Sequence, residues 1–179
     1  WQSGEQVAKE IHGWWSRDRS RPSLLFCYAF GKAQRLLAEL KAIGVEEEVL
    51  LHGAIETVTR HYREAGVPMT PSRPVSELPR NDPLEGRLIL APPSAHRSSW
   101  MRRFKSPQTA FASGWMALED SRKRGYDKGF ALSDHADWSE LLQTIEETGA
   151  SNVITCHGES SELEEYLAGR GLVVSSLPQ

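Results

Sequence analysis

The sequence predicts an α/β fold in which a largely parallel sheet is flanked by helices. Along the 179 residues, short apolar runs alternate with segments whose apolar residues recur at helical spacing. Glycine and proline residues mark most of the boundaries between these segments. Because a crossover helix usually joins one parallel strand to the next, this alternation is typical of parallel sheets.

The elements can be assigned in chain order from periodicity and from their stop signals. Helices are predicted at 4–15, 32–43, 54–65, 137–148 and 162–168. Strands are predicted at 23–29, 48–51, 86–91, 109–113, 129–132, 152–156 and 172–175. The first helix carries its apolar residues on one stripe, formed by Val7, Ile11, Trp14 and Trp15. Five prolines between 68 and 83 predict a stretch rich in loops.

The composition is that of an ordinary globular protein, with 39% hydrophobic and 25% charged residues. No apolar run approaches the roughly 18 residues that a membrane helix needs, so no membrane partner is expected. The first residues lack the basic and apolar regions of a secretory signal. Cys27 and Cys156 both lie in apolar, strand-like runs. We therefore expect buried free thiols and a cytoplasmic location.

The net charge of −3 conceals a segregation of charge along the chain. Between 96 and 128 lie eight basic residues and three acidic ones, whereas 134–165 has nine acids and no lysine or arginine. The basic residues of the first stretch are Arg97, Arg102, Arg103, Lys105, Arg122, Lys123, Arg124 and Lys128. A basic stretch inside an acidic protein favours a phosphate-binding face, with a solvated surface of no special function as the alternative.

Two histidines follow predicted strands directly and are the strongest candidates for chemistry. His135 follows the strand at 129–132, and His157 follows the strand at 152–156. Because the carboxyl ends of parallel strands line one edge of a sheet, both imidazoles are expected near a common site, as metal ligands or as acid and base. Asp134 is a candidate to orient His135. Asp137, with Glu140 three residues on, is typical of a helix N-cap rather than of a catalytic acid.

Three weaker signals also lie at strand ends. Gly31 and Lys32 open a helix after a strand, which is typical of an anion site, although the remaining residues of a P-loop are missing. Ser113 and Gly114 form a tight turn, and Trp115 after them could stack on a base or pack in the core. The segment His52-Gly53 is a further strand-end element, whereas His12, His61 and His96 are expected at surface or helix positions.

Taken together, these segments resemble the ligase-associated DNA exonucleases, bacterial nucleases of the β-CASP metallo-β-lactamase group. The matching segments are in family order and cover nearly the whole chain. They are Tyr28–Arg35, Leu51–Ala54, Ala91–Ala95, Trp100–Phe104, Ala112–Met116, Gly129–Trp138 and Thr155–Gly158. The pieces at 113–116 and 133–138 are the most specific, because they separate this branch from its RNA-processing relatives.

The resemblance implies a division of the chain and a role for each site residue. Residues 1–125 would form most of a β-CASP cap, and 126–179 the C-terminal piece of a metallo-β-lactamase αββα sandwich. His135 would be the general acid at the scissile phosphate, and His157 would ligate a metal. Substrate contacts would come from Lys32, Ser113, Gly114, Arg102, Arg103 and the neighbouring Lys105.

The resemblance further implies two zinc ions, with manganese as an alternative, and DNA as the substrate. A DNA ligase and a helicase would act in the same pathway. The family's remaining metal ligands precede the position of Trp1, so the chain by itself is expected to be inactive as a nuclease. Two alternatives stay open: an RNA-processing nuclease of the same superfamily, and a nucleic-acid-binding module without catalysis.

Overall fold

The structure of the chain is a computed structural model that describes residues 1–118, 120–156 and 159–177. The chain divides into two compact units, Trp1–His135 and Ala136–Gln179. This division by packing falls later in the chain than the domain boundary expected at 125/126. The 125/126 boundary separates the two domains that the family resemblance implies, and it stays a prediction.

The first unit is built on a six-stranded sheet with the strand order β3-β2-β4-β1-β5-β6. Each of its strand pairs is parallel. The strands are β1 (Ser23–Phe26), β2 (Val49–Leu51), β3 (Ser72–Pro74), β4 (Leu88–Ala91), β5 (Gln108–Ala112) and β6 (Lys128–Phe130). All their carboxyl ends therefore face the same edge, which is the edge where ligands bind in open α/β sheets.

Three helices belong to the first unit: α1 (Gly4–Arg17), α2 (Lys32–Ala42) and α3 (Gly53–Glu64). Ser3 caps α1 by accepting a hydrogen bond from the backbone of Gln6. The apolar stripe predicted for α1 is confirmed, because its four residues are all buried. Connections later in the unit use short 3-10 helices instead, at Val75–Glu77, Pro93–Ala95, Ser99–Arg103, Gly114–Ala117 and Ser121–Arg124.

The sheet separates two apolar cores, as alternation along its strands requires. In β1, Leu25 belongs to the core on the side of α1 and α2, whereas Leu24 and Phe26 belong to the core on the other side. The short helices and loops after β3 and β4 cover that second side, through Val75 and Phe104 among others. Both faces of the sheet are therefore buried, which explains the continuous apolar runs in its strands.

The second unit contains a two-stranded parallel sheet and two helices. These are α4 (Trp138–Thr148), β7 (Asn152–Thr155), α5 (Ser161–Gly169) and β8 (Val173–Ser176). Asp137 caps α4 in a capping box with Glu140, which confirms its prediction as an N-cap. Few apolar side chains of the second unit are fully buried. Among its described residues, the buried hydrophobic side chain is that of Leu167, which is 2% exposed.

The coarse fold prediction is confirmed, since the chain is an α/β protein whose main sheet is parallel and flanked by helices. Two expectations were wrong. Residues 72–74 form the edge strand β3 rather than a loop, and Pro74 is tolerated there because an edge strand need not pair on both sides. Cys156 is exposed, whereas Cys27 is buried as expected. Within the residues described, no helix has the length and apolar character to cross a membrane.

Candidate functional site

The strand order places a crevice between the carboxyl ends of β1 and β5. These two strands are neighbours in the sheet. The chain leaves β1 toward β2 on one side of the sheet and leaves β5 toward β6 on the other. Connections that run apart from adjacent strands open a gap between their following loops, and this is the usual ligand position in open parallel sheets.

A cavity of about 490 Å³ occupies this position. Its walls come from the loops after β1, β5 and β6 and from the first residue of the chain. The lining residues are Trp1, Tyr28, Lys32, Ser113, Gly114, Trp115, Leu118, Ser133 and His135. Four of the predicted site residues, Lys32, Ser113, Gly114 and His135, therefore lie around one cavity, which is large enough for a small ligand.

Lys32 and Asp134 form an ion pair at the base of this site. Their Nζ and Oδ1 atoms are 2.7 Å apart, and the lysine side chain is almost wholly buried while that of Asp134 is one-third exposed, at 34%. Burial works to raise the pKa of Asp134, but the hydrogen bond from Lys32 outweighs it together with the smaller contributions, and the pKa lies below its ordinary value. The ammonium group of Lys32 thus faces a protein carboxylate. The role of Asp134 in orienting His135 stays a prediction.

Arg35 provides a second anchor for the same loop. Its Nη1 group donates a short hydrogen bond to the backbone carbonyl of Ser133. The hydroxyl of Ser133 accepts a hydrogen bond from the backbone N–H of His135 at 3.1 Å. Ser133 is buried, whereas His135 is exposed to the cavity. The loop that carries His135 is therefore held by hydrogen bonds to its backbone, and the imidazole of His135 remains accessible.

The turn after β5 approaches this loop closely. The backbone N–H of Ser113 donates to the carbonyl of Phe130 at 3.0 Å. Its hydroxyl accepts from the N–H of Trp115 at 3.4 Å, which holds the start of the short helix there. A Cβ atom at Gly114 would lie 3.4 Å from the hydroxyl of Ser133. This distance is about that of a van der Waals contact, so the loops after β5 and β6 pack directly against each other at this point.

Gly31 has a backbone conformation that favours glycine, because its φ angle is 75°. It is the N-cap of α2, and no side chain caps that helix end. Gln34, one turn into α2, donates from Nε2 to the carbonyl of Ala29 at 3.1 Å and to the hydroxyl of Thr59 at 3.0 Å. The segment predicted as an anion site therefore also serves to hold the β1–α2 turn in place.

Two further histidines, His52 and His96, have structural roles. His52 caps α3, with its Nδ1 atom accepting from the N–H of Ala54 at 3.1 Å, and burial lowers its pKa. His96 stacks on Tyr126 with the ring centres 4.2 Å apart and contacts Phe26 edge-on. Burial, and to a smaller extent the charge of Arg97, lowers the pKa of His96. His96 was expected at a surface or helix position, and it is partly buried at the end of the short 3-10 helix Pro93–Ala95.

The predicted arginines of the basic stretch lie outside the lining of this cavity, as far as the described residues show. Arg102 is exposed. Arg103 is half-buried, and its Nη2 group donates to the carbonyls of Leu78 at 3.1 Å and Pro79 at 3.0 Å. Arg103 therefore ties two loops together, whereas Arg102 and the exposed Lys105 point their charges into solvent.

The metal prediction cannot be placed on this site. His157 lies outside the described residues, so its role as a ligand stays a prediction. Among the residues that are described, no three histidine, cysteine or acidic side chains form a group that could hold a metal ion. Burial raises the pKa of the Cys27 thiol to about 12, so this cysteine stays protonated and inert at neutral pH.

A larger cavity, of about 760 Å³, lies in the second unit. Most of its walls are apolar side chains of α4, β7 and α5, such as Leu141, Val153 and Leu163. The described part of its lining includes two glutamates and no lysine or arginine. Since these carboxylates would repel an anionic ligand, the smaller cavity beside His135 is the better candidate for such a ligand.

Several residues of the site were not singled out from the sequence. Tyr28 and Ser133 line the cavity, and Arg35 anchors the loop of His135. All three fall inside the segments that carry the family resemblance, and that was the available signal. Nothing in their local spacing distinguishes them, because their importance depends on contacts between distant parts of the chain.

The fold and the cavity define an α/β protein with a candidate ligand site at the carboxyl edge of a parallel sheet. No model of a known protein family matches the chain. A protein named "Probable DNA ligase" from Opitutus terrae is 33% identical over 151 residues. The match covers 83% of this chain, but the chain spans only 14% of that relative's length.

A solved structure has a similar fold. It is the crystal structure of a protein of unknown function from Enterococcus faecalis, with a TM-score of 0.54 and 12% sequence identity. The alignment covers 99% of this chain and 44% of the other. At this level of identity the likeness concerns the fold alone.

Proposed function

We propose that this chain is the DNA-facing part of a nuclease that hydrolyses phosphodiester bonds at DNA ends, in a pathway that also uses a DNA ligase. The observation that carries the proposal is the accessible imidazole of His135 on a firmly held loop beside the cavity. The relative named "Probable DNA ligase" supports the link to DNA metabolism. Since the matched segment is a small part of that relative, it is compatible with a module that accompanies ligation.

His135 suits the role of a general acid. A group that protonates a leaving oxygen must reach the substrate and keep its position during the reaction. Its backbone N–H bonds to Ser133, and Arg35 holds the Ser133 carbonyl in turn. Asp134 next to it is held by Lys32. These contacts limit the freedom of the loop without covering the imidazole.

The finer assignment follows the family resemblance. In it, residues 1–125 would correspond to most of a β-CASP cap, and residues 126–179 to the C-terminal piece of a metallo-β-lactamase sandwich. Two zinc ions, or manganese, would supply Lewis-acid chemistry in the complete enzyme, with His157 as one ligand. In this assignment the other ligands would belong to a part of the nuclease that the 179 residues do not include.

The partners proposed are DNA, with RNA as the alternative, and a ligase and helicase of the same pathway. A binding module without catalysis is the second candidate function. The side chains of Arg102 and Lys105 are exposed, and their charges favour this second candidate because they offer a surface that can bind phosphates. In that case the module would direct another enzyme to DNA.

The test is hydrolysis of end-labelled DNA by the complete gene product. His135→Ala should lower the rate by about 10²–10⁴-fold, because general-acid catalysis contributes about that much. Metal content, measured on the same samples, should stay near that of the parent. His61→Ala is the matched control, since His61 is an exposed histidine on α3 whose side chain, among the described residues, pairs with Glu64. This variant should keep full activity.

The two candidate functions give different results in this assay. Full activity in His135→Ala would rule out its role as the acid. Equal loss of metal and activity in that variant would make His135 a ligand instead. A complete gene product that binds DNA without cleaving it, with or without added Zn²⁺ or Mn²⁺, would favour the binding module.

A further inference from the structure

Large apolar side chains remain exposed around the cavity beside His135. Tyr28 is 50% exposed, Trp115 54% and Leu118 82%, and all three line the cavity. Phe30, on the same loop as Tyr28, is 75% exposed. Exposed apolar groups gathered around a concave site usually mark a surface that a ligand covers.

The two best-placed rings come from opposite sides of the crevice. Tyr28 follows β1, and its ring meets that of Phe111 at an angle of 69° with the centres 6.5 Å apart. The ammonium of Lys32 lies 5.4 Å from the centre of the Tyr28 ring. Trp115 follows β5, where the hydroxyl of Ser113 holds its backbone. Each ring is therefore attached to a fixed support while much of its surface faces solvent.

Polar groups line the same cavity as these rings. The hydroxyls of Ser113 and Ser133 and the imidazole of His135 belong to the same lining. Aromatic faces combined with a few hydrogen-bonding groups suit a flat heteroaromatic ligand, which can stack and also bond at its edge. An aliphatic ligand would leave these polar groups without partners, and a fully hydrated ion would not use the rings.

We propose that Trp115 and Tyr28 bind an unpaired nucleobase, so that this site takes the end of single-stranded DNA. The inference rests on the proposed function, and it adds the strand form of the substrate. Bases within a duplex are stacked and paired, so their faces are not available to the two rings. Because every base has such a face, recognition of this kind tolerates any sequence.

The test compares two oligonucleotides with the same phosphates and different bases. One is a fluorescein-labelled oligothymidylate, and the other carries abasic residues at the same positions. Binding of each to the 179-residue chain is followed by fluorescence anisotropy. The chain should bind the oligothymidylate at least about fivefold more tightly, since stacking of one base on an aromatic ring contributes at least that factor.

Variants of the rings should remove this preference. Trp115→Ala and Tyr28→Ala should each bring the affinity for oligothymidylate toward that for the abasic strand. Trp115→Phe should keep most of the preference, because it retains an aromatic face. Trp138→Ala is the matched control, since Trp138 is an exposed tryptophan of α4, 44% accessible, and the variant should bind like the parent. Thermal unfolding of every variant checks that the fold is retained.

The outcomes separate this inference from the proposed function. Equal affinity of the parent chain for both oligonucleotides, or no binding of either, would overturn the inference. A preference that survives both alanine variants would overturn it as well. If the preference is present and lost in the ring variants while His135→Ala still cleaves DNA at the full rate, the base site stands and the catalytic proposal fails.

Discussion

The cations at the start of α2 and those of the basic stretch after β4 differ in what they contact. Lys32 is buried and paired with Asp134, and Arg35 donates to the carbonyl of Ser133. Arg102 and Lys105 are exposed. In the first region the positive charges are used to hold the protein together. In the second they remain available to an anion from outside.

This difference shows that a basic residue near a site is not by that fact a substrate contact. Arg103 belongs to the basic stretch, yet it bonds to the carbonyls of Leu78 and Pro79. Lys32 lines the cavity, yet a carboxylate already faces its ammonium. The phosphate contacts predicted for both residues remain predictions, but both have a structural role that Arg102 does not share.

The largest expected effect comes from breaking the buried pair. Asp134→Ala leaves the ammonium of Lys32 buried without its partner, and this should lower the free energy of unfolding by about 2 kcal/mol. This value is below the range for fully buried pairs, because Asp134 reaches solvent. Lys32→Met should cost less, since water can hydrate the carboxylate that remains. The measurement is urea unfolding followed by tryptophan fluorescence.

The Lys32–Asp134 pair also predicts an energetic coupling between its two residues and a loss of stability at low pH. The double variant should lose less stability than the sum of the single losses. The exposed pair Lys41–Glu46 is the control, and its coupling should stay below about 1 kcal/mol. Because the pKa of Asp134 lies below its unfolded value of 3.8, the stability from the pair is present above pH 3.8 and is lost as the pH falls further. Additive losses at neutral pH would show that the pair is not coupled.

The sequence was sufficient for the parts of the fold that depend on local patterns. Periodicity located the helices, and short apolar runs located the strands of the buried sheet. The capping box at Asp137 was predicted for the same reason, since its partners are three residues apart. Edge strand β3 was missed because three residues that include Pro74 carry no apolar signal. Cys156 was misplaced because an apolar run does not reveal which of its residues are exposed.

The site was predictable only in part. Ser113 and His135 were predicted because they follow strands directly, and ligands bind at the carboxyl ends of the strands in parallel sheets. The partner of Lys32 could not be predicted from spacing, since the contact joins the turn after β1 to the loop after β6. The contact of Arg35 with Ser133 spans 98 residues for the same reason. Only the order of strands in the sheet brings these segments together.

The histidines differ in the same way, because His52 and His96 are partly buried whereas His135 is exposed. Burial lowers the pKa of His52 and of His96, so the unfolded chain binds protons more strongly than the folded chain near pH 6.5. Stability present above pH 6.5 should therefore decline as the pH falls below it. For each residue the loss should be on the order of 0.5 kcal/mol, because solvent still reaches both rings.

Urea unfolding at about pH 7.5 and 5.5 measures this decline, in a range around the ordinary histidine pKa. His96→Phe keeps the ring that stacks on Tyr126 and removes the proton site, so it should reduce the dependence on pH. His61→Gln, at an exposed position, should leave the dependence as it is in the parent. An unchanged slope in His96→Phe would mean that His96 does not contribute to it.

The smallest effect on the fold is expected from the exposed cations, and it should appear in binding alone. Arg102→Ala/Lys105→Ala should unfold at the same urea concentration as the parent, because neither side chain holds the structure. If these residues contact phosphates, affinity for single-stranded DNA should fall alike for all sequences. The slope of log affinity against log salt should also flatten by about 0.7 for each lost contact.

Arg103→Ala provides the opposite pattern in the same experiment. Its side chain bonds to two carbonyls, so the variant should lose stability while its salt slope changes little. Each hydrogen bond from a charged group to a partner inside the protein contributes about 1.5–3 kcal/mol, less where solvent reaches it. If Arg103→Ala instead flattens the slope at unchanged stability, the carbonyl contacts of Arg103 do not stabilise the fold and its charge binds phosphate as that of Arg102 does. If neither variant changes the slope, the phosphate contacts lie elsewhere, and Lys32 is the next candidate to test.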